Sequence, residues 1–162
     1  MDKLNQLKEK ILTAQKEGDI ATLYVLEKEA NELLDDEMLH DFYANILDLA
    51  LEKLTDLLEA HRKMDLTQVQ DFATTRALYE YALEHYSSGE LSDAAALFEV
   101  LSGISNDKDF SSSLKLHCVC AQKKMNFEDF LSNIADIDAT QKKQTFYISM
   151  FRKEAQSLLE NV

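Results

Sequence analysis

Glu37-Met38-Leu39-His40 has the Glu-x-x-His spacing found where a helical bundle holds a carboxylate-bridged pair of metals. Such a centre needs a second Glu-x-x-His and two further inward glutamates, and the chain offers no second pair. His117 and Cys120 lie one helical turn apart and could share a metal, but two more ligands have no obvious source nearby. A buried histidine beside a core cysteine is the simpler account. His61 and His85 stand in no local nucleophile arrangement. There is no glycine-rich phosphate loop, no His-Glu-x-x-His and no Gly-x-Ser-x-Gly elbow. The expectation is therefore binding without turnover: no catalytic residue, no cofactor and no metal.

The elements that carry these residues are helical. The 162 residues contain three glycines and no proline, which disfavours an all-β fold with its many tight turns. Leu, Ala, Glu, Lys and Gln, all strong helix formers, are abundant. The net charge is −13, and residues 1–65 carry 16 acidic against 8 basic side chains. Such a surface repels nucleic acid and anionic lipid. It serves solubility, or it steers a basic or amphipathic protein partner. No apolar run approaches 18 residues, so no membrane insertion is expected. The opening MDKLNQLKEK has no apolar stretch of the secretory kind. Cys118 and Cys120 point to different sides of a helix and do not suit a disulfide, which fits a reducing cytoplasm.

Apolar periodicity predicts about eight helices with short links. The first carries Leu4 to Ala14 and ends at Gly18; the second, capped by Asp19, runs from Ile20 to Leu33. A long third helix spans 37–63. Its apolar residues Leu39, Phe42, Ile46, Leu49 and Leu57 approach heptad spacing, a possible homodimer seam, but Leu47, Leu54 and Leu58 widen the face toward that of a core helix. A fourth runs from Val69 to Tyr86 and a fifth from about Ser92 to Gly103. SNDKDFSSS, from Ser105, reads as the most loop-like stretch. A sixth helix holds Leu114 to Ala121, a short seventh follows Asn126, and the last opens at Asp138 or Thr140 and continues through Phe146, Tyr147 and Phe151 to Leu159. Residues 1–65 are expected to form an acidic N-terminal helical segment and 66–162 a helical-repeat region, the two making one structural unit.

HYSSGELSDAAALFEVL, from His85, sets Gly89 between two helical runs. Glycine tolerates the positive φ needed where a helix stops and the chain turns back. Ala82 and Ala94 would then let antiparallel helices approach, with Phe98 filling the groove to a neighbouring pair. The pattern resembles a tetratricopeptide repeat, with Leu78 and Tyr81 at large positions, Ala82 and Ala94 at small ones and Phe98 at the aromatic one. A second copy follows 36 residues on, pairing Leu91 with Phe127 and packing Leu114, His117 and Cys118 inward; there Phe130 replaces the expected alanine, and the motif's tryptophan and closing proline are absent.

ALYEYALEHYSSGELSDAAALFEVL and CAQKKMNFEDFLSNI are also similar to the first two repeats of the small acidic chaperones of type III secretion translocators, over about residues 76–135. That resemblance implies a cytoplasmic, catalytically silent helical protein holding an extended client segment in a concave groove. The expected fold is all-α, with stacked antiparallel hairpins and an N-terminal helical extension.

In such a stack the first helix of each pair lines the inner curve. The residues expected to meet a client are Arg76, Tyr79, Leu83 and Tyr86 from the first pair, and Lys115, Val119 and Gln122 from the second. Tyrosines beside a leucine offer apolar area with hydroxyl tips. The competing expectation is that Tyr79, Leu83 and Tyr86 are internal and the chain is a closed helical bundle.

Overall fold

The computed structural model describes residues 2–160, and within them the fold is all-α. The helices are α1 (Lys3–Glu17), α2 (Ile20–Val25), α3 (Glu27–Leu33), α4 (Asp36–Glu59), α5 (Val69–Ser87), α6 (Leu91–Ile104), α7 (Lys108–Gln122), α8 (Phe127–Asp129), α9 (Ile137–Lys143) and α10 (Glu154–Glu160). A π-type turn, Phe130–Ile134, continues α8. The chain forms two compact units, one made of the residues up to Arg62 with Leu66–Leu78, the other of Lys63–Asp65 with the residues from Tyr79 onward. The division falls inside α5.

In the first unit, aspartates begin α1, α2 and α4. Asp2, Asp19 and Asp35 accept the N–H groups of Asn5 (2.7 Å), Thr22 (3.0 Å) and Met38 (2.8 Å), each three residues on. Asp19 also accepts from the Thr22 hydroxyl at 2.6 Å and from the Gln70 amide. These bonds, the hydroxyl foremost, hold its carboxyl below the ordinary carboxylate range. The run expected as one second helix is broken at Leu26 into α2 and α3. Along α4, Phe42, Ile46, Ala50, Leu54 and Leu57 are buried at helical spacing, while Leu58 is half exposed.

In the second unit the chain turns back at Gly89. Its φ is 82°, its N–H bonds the Tyr86 carbonyl (3.1 Å), and the Glu90 N–H bonds that of His85 (3.0 Å). This pair of bonds is a Schellman end, which satisfies carbonyls left over by α5. At the other end of α6, Met64 donates to Ile104 (2.7 Å) and Asn106 to Met64 (3.0 Å). The segment before α5 is thus tied by backbone bonds to the end of α6. Ala82 and Ala94 are fully buried, and the Tyr86 and Phe98 rings meet edge to face at 5.8 Å. The next helix end is shaped the same way without glycine: Lys124 takes φ 63°, with its N–H on Ala121 and that of Met125 on Cys120, both at 3.0 Å.

A Cβ added at Gly89 would meet nothing within 4 Å, so the cost of a side chain there is conformational alone. Gly89→Ala is expected to lower stability by about 1–2 kcal/mol, read as a shift of the urea midpoint with unchanged slope.

Two expectations are corrected. The polar stretch from Ser105 is not a loop: Asp107 accepts the Phe110 N–H at 2.8 Å and α7 starts at Lys108, so Ser111, Ser112 and Ser113 are helical. The last helix is not continuous. Gln144 closes α9 at φ 61°, and residues 145–153 are an irregular strap. Its donors are engaged elsewhere. Ser149 and Met150 donate to the Thr140 hydroxyl (3.3 and 3.1 Å), and Ile148 to the Tyr79 hydroxyl (3.0 Å). Asp136 donates to Met150 (2.8 Å) and Arg152 to Ile134 (2.7 Å), making an isolated antiparallel bridge. These partners satisfy backbone groups that a helix would otherwise pair.

Candidate functional site

The second unit is organised around a buried chain of polar groups. His117 is fully buried, and its Nδ1 lies 2.6 Å from the Ser113 carbonyl. A carbonyl only accepts, so Nδ1 carries the proton and Nε2 accepts from the Tyr79 hydroxyl at 2.9 Å. That hydroxyl in turn accepts the Ile148 N–H. The Ile148 N–H, the Tyr79 hydroxyl, both His117 nitrogens and the Ser113 carbonyl are all engaged in this chain. Desolvation pushes the His117 imidazole down to about 4, against the opposing pull of the Ser113 carbonyl, and raises the Tyr79 phenol above its ordinary range. The rings of Phe98, Phe130 and Phe151 surround His117, with centroids 5.1, 4.9 and 6.0 Å away.

The residues expected to meet a client are therefore split. Tyr79 and Tyr86 are each 1% exposed. Tyr86 donates to the Met125 carbonyl at 2.8 Å and packs on Phe98, Phe127 and Phe130. Both tyrosines are core residues in this structure and offer no surface to a partner. Val119 is also buried and Leu83 half-buried. Lys115 and Gln122 are exposed on α7. Arg76 belongs to the first unit, 3.4 Å from Glu27 and with its guanidinium 4.1 Å above the Tyr24 ring. The Glu27 carboxylate also accepts from Tyr43 at 2.8 Å.

Of the metal readings, Glu37 and His40 are both exposed. Both nitrogens of His117 are engaged within the core, which leaves none to share with Cys120. The two cysteines are free and buried. Burial raises both thiols, Cys120 to about 11, and Cys118 donates to the Ala95 carbonyl at 3.4 Å. These are packing cysteines, protonated and little reactive at neutral pH.

A surface concavity of about 510 Å³ lies instead between α6 and α7. Gly89, Ala95, Ala96 and Ala121 give it small-residue walls, and Ser92, Glu99, Gln122 and Lys124 supply its polar groups. Side chains this small on facing helices leave room that larger ones would fill. Only Gln122 of the expected contact residues belongs to it. The repeat register directs attention to the inner faces of first helices; the run Ala94-Ala95-Ala96 was the available signal for a hollow on the second.

Among the described residues no helix is long and apolar enough to cross a membrane. No protein-family model, curated protein or solved structure matches the chain.

Proposed function

We propose that the chain is a non-catalytic protein-binding module that holds a client segment in the α6–α7 concavity. The observation that carries this reading is the concavity itself, with small-residue walls and a rim of Ser92, Glu99, Gln122 and Lys124. A client would bury apolar side chains over Ala95, Ala96 and Leu91, while the hydroxyl of Ser92 and the amide of Gln122 are available to its backbone. The net charge of −13 favours a basic or amphipathic segment. Salt should weaken such binding only in part, because the apolar share is unscreened. The similarity of residues 76–135 to translocator chaperones suggests an extended segment of a secreted protein, met in the cytoplasm.

A photo-crosslinking side chain at Ser92, in the full chain within its native cell, should capture a small defined set of proteins. The same probe at exposed Lys142 should not. Ala96→Trp fills the concavity from an exposed position and should reduce the Ser92 crosslinks by more than about tenfold, on the scale of losing an interfacial anchor. Equal capture from both positions, or capture indifferent to Ala96→Trp, would remove the proposal.

One observation favours a second reading, a closed structural module. Tyr79 and Tyr86, the residues a concave client surface would need, are covered by the protein's own rings. The crosslinking experiment separates the two, since a closed module gives no defined set at Ser92.

A further inference from the structure

We propose that His85, Glu90 and Asp93 form a divalent-cation site of the zinc type, set across the Gly89 turn. His85 lies in the last turn of α5, Glu90 caps the start of α6 and Asp93 is in its first turn. The sequence shows nothing of this, because the three positions fall on two helices. The turn brings them together. The Glu90 N–H on the His85 carbonyl fixes those two residues at adjacent backbone positions. One ligand atom from each of the three residues then lies within 4.8 Å of the others.

The imidazole carries the argument beyond a pair of carboxylates at a helix start. His85 Nδ1 is shielded from solvent and has no hydrogen-bond partner. Glu90 Oε2 is 3.2 Å from it, near enough for an ion pair but not aligned for a hydrogen bond. A shielded, unpaired ring nitrogen is costly to leave so. A tetrahedral metal with bonds of about 2.0–2.2 Å to nitrogen and oxygen spaces neighbouring ligand atoms by about 3.3–3.5 Å, close to the 3.2 Å between His85 Nδ1 and Glu90 Oε2, while Asp93 lies within 4.8 Å of both. The Tyr81 ring meets the imidazole edge to face at 4.5 Å and limits its rotation.

Carboxylates at a helix start usually serve its N–H groups and dipole. Glu90 makes no side-chain cap bond, so capping does not account for it. Its side chain is half exposed, which gives an ion access. One imidazole and two carboxylates suit zinc and its first-row neighbours over calcium or magnesium, which favour oxygen-only sets. Three protein ligands leave a fourth position for water.

The test is titration of the chelator-stripped full chain with Zn²⁺ by calorimetry and with Co²⁺ by visible absorption, which reports coordination directly. The expectation is one ion per chain, with a four-coordinate Co²⁺ spectrum. Loss of even an outer-shell partner weakens metal binding about 10–100-fold, so Glu90→Gln, Asp93→Asn and His85→Gln should each weaken it by at least that much. Glu90 and Asp93 are exposed, so their variants should fold. His61→Gln, at an exposed histidine outside the cluster, should bind as the unaltered chain does. Absent binding at micromolar ion, or equal binding by the unaltered chain and the triple variant, would overturn the site and leave the carboxylates serving α6 alone.

Discussion

Phe130→Ala is expected to cost about 3–5 kcal/mol, the range for deleting a buried phenyl ring where the surroundings collapse only in part. Phe130 is fully buried, with ring centroids 4.9 Å from His117 and 5.6 Å from Tyr86, and it lies 6.4 Å from the stacked ring of Phe127. The repeat register places an alanine at this position, so the same substitution tests that register. Urea unfolding followed by circular dichroism reads the result. A large loss supports the aromatic core described here. An unchanged midpoint would mean that alanine fits, as a repeat hairpin requires, and that the ring is not part of the packing.

Acid should unfold the chain through His117. The imidazole is held neutral, at about 4 against an ordinary 6.5, because burial penalises its charged form. Between those values the unfolded chain binds the proton that the folded chain refuses, so stability rises with pH across this window. The contribution is fully present above about 6.5, is lost progressively as pH falls toward 4, and is flat below. At about 1.4 kcal/mol per unit, it amounts to about 3 kcal/mol. Protonation would also turn Nε2 from acceptor to donor, so the Tyr79 O–H would lose its acceptor inside the core while its oxygen accepts from both the ring and Ile148. Unfolding free energies measured between pH 4 and 7 should show this slope, and His117→Gln should remove most of it while lowering stability at pH 7. An identical slope in the variant would assign the acid sensitivity to other groups.

Helix type and many helix ends were legible in the residues because they depend on neighbours in sequence. Leucines three and four apart, an aspartate three residues before a free N–H, and a glycine where φ must turn positive are local signals. Gly18 and Gly89 end helices, and Asp19 begins one. Where a local signal was absent or misleading, boundaries moved. Ser111 to Ser113 look like loop residues but sit behind the Asp107 cap, while Phe146, Tyr147 and Phe151 have helical spacing yet lie in a strap. Lys124 reaches the left-handed conformation that a sequence reader assigns to glycine.

The candidate sites were less legible, since each needs groups from different helices. The spacing of Tyr79, Leu83 and Tyr86 assigns them one helix face without saying whether that face meets solvent. The rings of Phe98, Phe110, Phe130 and Phe146 decide it by covering the tyrosines.

By itself the sequence determined an acidic, all-helical chain that turns back at residue 89, because charge and backbone preference belong to single residues and their near neighbours. Only the tertiary structure decided that Tyr79 and Tyr86 are internal, that a hollow opens between α6 and α7, and that His85 comes within reach of Glu90 and Asp93. Burial and side-chain proximity depend on which helices meet, and that is settled by packing over the whole unit.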